Sequence, residues 1–321
     1  MKGKNVSSGF QDPVPRHLRS GLFGLLARHE TAIERCHWPG PEKRVAKIRG
    51  IAHYIGMDTG NPDTDGISPS ALERAARLLR PVGWPDQPSD LVVGADGFVE
   101  TLPPGTPQTF SQRALDTRFT AWVYDRARDR VLRVAGMKSF EAELTAIAER
   151  LRPACDDVVL DLACGHGNFT VEWARRVGPE GLVIGVDYSV SMLRRAVTRV
   201  RESGLTNIVL VHGDAHHLPL ADCSFQRVNC SGGFHAFPDL AQVLGELSRV
   251  SIPRATLTAS TFAEAPHDKL ARPKRWLNRR FALHFVPLLW LRDELAQKGF
   301  HDFECSLRGG GFAYTSANRS Y

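Results

Sequence analysis

Residues 158–170 read VVLDLACGHGNFT. An apolar run of strand length breaks into two glycines around His166, and the chain then turns helical. A short apolar run closed by glycines fits a strand buried on both faces. Gly165 and Gly167 lack a Cβ, so the backbone there can approach a ligand closely, and the amides that open the next helix favour an anionic group. This turn alone also suits a dinucleotide, so the rest of the chain has to decide.

Outward from it, strands and helices alternate. Residues 182–188 (LVIGVDY), 208–214 (IVLVHGD), 226–233 (QRVNCSGG) and 255–261 (ATLTAST) read as strands. Residues 168–178, 190–204 and 239–250 between them carry apolar residues at helical spacing. Apolar strands separated by amphipathic helices predict a doubly wound, mostly parallel α/β sheet covered on both faces. Upstream, residues 113–136 and 139–153 read as helices, the second with Phe140, Leu144, Ile147 and Leu151 on one face. Residues 302–310 and 311–319 read as strands with no helix between them, so they should pair antiparallel at one edge.

Ligands of such a sheet sit beyond the carboxyl ends of the strands. The first predicted strand carries Asp161 and runs into the Gly165–Gly167 turn. The second ends in Asp187, whose two acceptor oxygens suit a ribose diol, with Met192 one helical turn later to pack on a purine. The third ends in Asp214 and Ala215, where Asp214 could accept from an adenine amino group. The fourth ends in Ser231 and two glycines, which leave room beside a ligand. A nicotinamide dinucleotide fits less well, because Thr170 stands where the third glycine of the dinucleotide turn is expected. Asp161 would also repel a pyrophosphate and welcome an amino-acid ammonium.

These segments, 159–170, 183–196, 213–228 and 245–253, resemble in order the successive motifs of class I S-adenosylmethionine-dependent methyltransferases, most closely the small-molecule, UbiE-like type. The resemblance covers residues 112–320. It implies a seven-stranded sheet in the order 3-2-1-4-5-7-6 with the last strand inserted antiparallel. It also implies site roles: Asp161, Ala163, Gly165 and Gly167 for the methionine part, Asp187 and Tyr188 for the ribose, Met192 beside the adenine. Asp214 and Ala215 would meet the adenine edge, Ser231 would lie near the methionyl group, and Tyr124 would close over the cofactor. The family usually has a glycine pair where this chain reads SIPRAT (251–256), which puts the turn before the fifth strand in question.

Methyl transfer from a sulfonium is an in-line displacement in which the protein mainly supplies alignment. An oxygen nucleophile often needs a base, and His235, just past the fourth strand, is the candidate; relatives often use a histidine here to position the next helix, and both roles stay open. His216 and His217 follow the adenine-contacting segment, with one expected in the site wall. Cys36-His37 has no second pair to complete a metal site. After the fifth strand, residues 262–290 are long for a connection. Phe281, Phe285, Leu288, Leu289 and Trp290 there could line an acceptor cavity or pack as core.

Composition bounds the partners. The 321 residues are 42% hydrophobic with a net charge of +6, and the densest positive cluster is ARPKRWLNRR at 271–280. That cluster could meet a carrier-bound or anionic acceptor, or RNA, though no base-amine motif follows the fourth strand. No apolar run reaches the ~20 residues of a membrane span. Six cysteines without paired spacing fit a reducing, cytoplasmic setting. The expectation is an N-terminal extension (1–110) and a methyltransferase domain (111–321), monomeric or homodimeric, acting on an O or C nucleophile of a polyketide-, quinone- or lipid-like small molecule. An RNA methyltransferase and a cofactor-binding protein that does not methylate are the alternatives. Residues 70–79 should form the extension's one clear helix, with Ser70 and Glu73 at capping-box spacing.

Overall fold

The structure, a computed structural model, describes residues 69–80, 94–102, 139–265, 285–308 and 311–320. Tyr124, Phe281, Cys36-His37, the basic cluster at 271–280 and the helix read at 113–136 lie outside the described residues. The elements, in chain order, begin with α1 (Pro69–Leu78), β1 (Val99–Glu100) and α2 (Phe140–Leu151). Then follow β2 (Val158–Leu162), α3 (Asn168–Val177), β3 (Leu182–Asp187), α4 (Val190–Ser203) and β4 (Ile208–His212). After β5 (Phe225–Ser231) and a 3₁₀ turn (Phe234–Ala236) come α5 (Leu240–Val250), β6 (Ser251–Glu264) and β7 (Val286–Pro287). The chain closes with α6 (Leu288–Gln297), β8 (Phe300–Arg308) and β9 (Phe312–Arg319).

The sheet runs β1-β4-β3-β2-β5-β6-β9-β8, with the short β7 pairing β6. Its central seven strands follow the expected order, and β9 is inserted antiparallel between β6 and β8. The additions are β7 and, beyond β4, the two-residue β1, which pairs parallel with Val211 and His212.

The period of two along the strands builds two cores. Leu160, Leu162, Leu182, Ile184, Val209 and Val211 face one side, while Val159, Val183, Ile208 and Leu210 face the other. The second side is covered by α2, α3 and α4, with Trp173 fully buried. The first is covered by α5, α6 and α1. The connection between β4 and β5 (213–224) contains no helix, and α1 takes that place on the sheet. The periodicity puts Leu72, Ala75, Ala76 and Leu79 on one face; all four are buried, together with Ala71 and Leu78. The helix starts at Pro69, so Ser70 sits inside its first turn rather than at the cap. The backbone of Arg80 donates to the Pro219 carbonyl, and that of Ala221 to the Leu78 carbonyl, which ties the helix end to this connection. Part of the stretch read as an extension therefore completes the sheet's covering layer.

Where a glycine pair is usual, the chain enters β6 without one. Pairing jumps from Phe225–Ser251 to Arg227–Thr256, and Arg254 adopts φ +67° inside that irregularity. A non-glycine residue thus takes the left-handed conformation, at a cost of roughly 1 kcal/mol. Among the described cysteines, Cys155, Cys164, Cys230 and Cys305 are free thiols. No helix among the described residues is long and apolar enough to cross a membrane.

Candidate cofactor site

The carboxyl ends of β2, β3, β4 and β5 surround a cavity of about 220 Å³. Of the residues singled out in the sequence, Ala163, Gly165, Asp187, Tyr188, Met192, Asp214, Ala215 and Ser231 line it. Asp161, Gly167 and His235 do not.

The ends of β3 and β4 each contribute a carboxylate. Asp187 ends β3, and its carboxylate accepts from two backbone amides, Gly165 N–H on Oδ2 and Ser189 N–H on Oδ1, both at 2.8 Å. This links the glycine turn to the start of α4, which Ser189 caps by accepting from the Met192 amide. At Gly165 (φ +56°) an added Cβ would meet nothing within 4 Å, so the turn leaves open space on the cavity side. Past β4, Asp214 Oδ1 accepts from His216 Nδ1 at 2.8 Å and from the His216 amide at 3.0 Å. His216, edge-on to Phe237, is the histidine that reaches the wall; His217 turns to Gln242.

Two expected ligand groups are turned elsewhere. Asp161 is 1% exposed; Thr170 Oγ1 donates to its Oδ2 at 2.6 Å and Asn229 Nδ2 to its Oδ1 at 2.7 Å. The carboxylate therefore braces β2 against α3 and β5. Burial raises its pKa to about 6, against those two hydrogen bonds and with a small push from Asp187. Gly167 (φ +78°) caps α3, and a Cβ there would lie 3.2 Å from Ala196 Cβ. Its bareness serves the close approach of α3 to α4.

The sequence reading missed Asn229, which is fully buried on β5. Besides holding Asp161, its Oδ1 accepts from Ser231 Oγ (3.1 Å) and Thr258 Oγ1 (3.2 Å), so one amide ties β2, β5 and β6 together below the cavity. The available signal was a polar residue in the middle of an apolar strand. Also missed were His166, Phe169 and Phe237, which line the cavity.

Among the described residues, the lining includes two carboxylates, Asp187 and Asp214, and neither lysine nor arginine. Cys164 also lines the cavity, but burial, with Asp187 and Asp161 nearby, raises its thiol pKa, and burial does the same for Cys230. Both stay neutral thiols rather than nucleophiles. No cluster of metal-ligating side chains occurs among the described residues.

His235 sits in the 3₁₀ turn, outside this cavity. Its Nδ1 lies 3.4 Å from Thr261 Oγ1, and its ring stands edge-on to Phe262 at 4.8 Å. Phe285 packs against Phe262 in turn. Leu288 is buried against Ala263 and Ala313, whereas Leu289 and Trp290 are 49% and 39% exposed. Of the described residues proposed for an acceptor cavity, only Phe285 therefore stands near His235.

A family model described as a methyltransferase domain matches residues 155–284, the stretch that contributes every described residue of this wall. Over these residues the chain is similar to a methyltransferase domain. Demethylmenaquinone methyltransferase of Listeria welshimeri is 41% identical over 99 residues, which are 31% of this chain and 42% of that protein. The chain thus spans about two fifths of the length of the curated relatives it matches first. Among solved structures, phosphoethanolamine N-methyltransferase 2 of Haemonchus contortus superposes with a TM-score of 0.53 at 15% identity, over 66% of this chain and 59% of that one. The YcgJ protein of Bacillus subtilis superposes at 0.51 and 15% identity, over 56% of this chain and 99% of that one. Both confirm the fold of the domain.

Proposed function

We propose that the protein transfers the methyl group of S-adenosylmethionine to an oxygen or carbon nucleophile of a small, quinone-like acceptor. The observation that carries the cofactor half is the cavity's charge. Among the described residues, Asp187 and Asp214 line it with no lysine or arginine beside them, which suits a cationic sulfonium and amino-acid nucleoside and disfavours a pyrophosphate. When bound, the cofactor supplies an already activated methyl on a positively charged sulfur. The chain's residues bind and align. Asp187, at the end of β3, is assigned to the ribose hydroxyls, Met192 and Ala215 to the adenine faces, and Asp214 to its amino edge. Ala163, Gly165 and Ser231 frame the methionine part, with Asp161 and Gly167 holding the turn from behind. Tyr124 is retained as the residue that covers the cofactor.

His235 is assigned to the acceptor side, where the rings of Phe262 and Phe285 support a flat, apolar substrate. The likeness to demethylmenaquinone methyltransferase supports a quinone-like acceptor for the matched segment. Calorimetric titration with S-adenosylhomocysteine tests the cofactor half: binding in the micromolar range supports it, and no binding refutes it. A screen of hydroxyquinones with labelled methyl donor tests the acceptor. With an acceptor in hand, His235→Ala is expected to lower kcat about 10²-fold, as for loss of a general base, and to leave the S-adenosylhomocysteine Kd unchanged. No change in kcat would make His235 a packing residue beside Phe262.

A further inference from the structure

The segment 94–102 lies upstream of the matched methyltransferase domain, yet it reaches the cavity wall from outside. Within β1, Glu100 pairs with His212 at the carboxyl end of β4. His212 Nδ1 lies 2.6 and 2.8 Å from the two Glu100 carboxylate oxygens. Its Nε2 lies 3.0 Å from the backbone carbonyl of Tyr188. Carboxylate and carbonyl oxygens only accept, so each ring nitrogen is placed to donate, one bond being charge-assisted. The ring is edge-on to Tyr188 at 5.8 Å and to Phe98 at 6.2 Å, and only 12% of the His212 side chain is exposed. On the Glu100 side, Oε1 also accepts from the Leu102 amide, while Thr101 Oγ1 donates to the His212 carbonyl at 2.7 Å. Tyr188 stands between Asp187 and Ser189, and all three line the cavity. A second tie, Arg194 with both oxygens of Asp96, joins the segment to α4 but is exposed and contributes little.

We infer that Glu100 and His212 are positioning residues for cofactor binding: the upstream segment holds His212 so that its Nε2 fixes the Tyr188 carbonyl and, through it, the Asp187–Ser189 turn. This rests on the cofactor assignment above. Glu100 orients the imidazole, the imidazole restrains one peptide unit, and that peptide unit carries the carboxylate at the end of β3. Nothing in the matched domain itself performs the first of these steps.

Side-chain amides separate the two halves of the device. In His212→Gln the amide nitrogen can take the place of Nε2 and keep the donor to Tyr188. In His212→Asn the amide nitrogen takes the place of Nδ1, which keeps Glu100 and loses Tyr188. The full-length chain and the variants His212→Asn, His212→Gln and Glu100→Gln are titrated with S-adenosylhomocysteine by calorimetry, with melting temperature measured on the same samples. The expected result is roughly tenfold weaker binding for His212→Asn, about fivefold for Glu100→Gln, and within about threefold of wild type for His212→Gln, the scale of one partly buried, charge-assisted hydrogen bond. Wild-type affinity in His212→Asn overturns the inference. So does equal loss in the Asn and Gln variants that merely tracks melting temperature, since that is a structural role. Failure of the wild type itself to bind S-adenosylhomocysteine overturns the cofactor assignment, and this inference with it.

Discussion

Asp187→Ala is expected to weaken S-adenosylhomocysteine binding by at least about 10²-fold. The carboxylate is the proposed acceptor for two ribose hydroxyls, and hydrogen bonds to a charged group contribute about 1.5–3 kcal/mol each. It also organises the wall, because the amides of Gly165 and Ser189 both point at it. Alanine leaves those amides without their acceptor and frees the glycine turn from α4. Asp187→Asn separates the two effects: it keeps one acceptor and the turn geometry in part, so an intermediate affinity is expected. Calorimetry on the three proteins checks this ordering. Equal affinity in all three would remove Asp187 from the cofactor site.

The second large effect is on stability and concerns Asp161. Its pKa in the folded chain is raised from 3.8 to about 6, chiefly by burial. Below pH 4 the carboxyl is protonated in both folded and unfolded chains and costs nothing. As pH rises, the unfolded chain releases the proton first, so stability falls between about pH 4 and pH 6. Above that it levels off, lower by about 3 kcal/mol from this group alone. Asp161→Asn removes the ionisation and keeps an acceptor for Asn229, while Thr170 Oγ can accept in place of donating. The difference in unfolding free energy between variant and wild type should therefore be small at pH 4 and widen in favour of the variant up to pH 7. Denaturant unfolding of both proteins across that range isolates the group, since every other titration cancels. Parallel pH profiles would mean that the Asp161 pKa is not raised in the folded chain.

Most of the sheet was legible because its signals are local. Strands such as 182–186 are apolar throughout, helices such as 240–250 repeat at 3.6 residues, and Asp187 and Asp214 stand at strand ends that the periodicity alone locates. What escaped was long-range. Asn229 reads as a blemish in an apolar strand until Asp161, 68 residues earlier, is seen against it. Glu100 and His212 are 112 residues apart, and neither has a neighbour in sequence that announces the other. The face of α1 was readable, but not that it fills the layer position left open by the helix-free connection after β4. At Gly167 a bare backbone looks the same in sequence whether a ligand or a helix comes close to it, and Ala196 of α4 does come close.

The insertion of β9 between β6 and β8 bears on how the molecule is made. A chain emerging from the ribosome releases β6 and then β8 before the strand that belongs between them. Until Phe312–Arg319 appears, β6 presents the edge spanning Thr256–Phe262, and β8 has no place in the sheet. The half of the fold that carries β2–β5 and the cavity can assemble from segments already synthesised, whereas the other half waits for distant pairing, which is slow. During that interval an unpaired strand edge, rich in β-branched threonine and without a charged residue over Thr256–Phe262, invites association with other nascent chains. Expression temperature and chaperone supply should therefore govern the yield of soluble protein through this one strand more than through the cofactor-binding half.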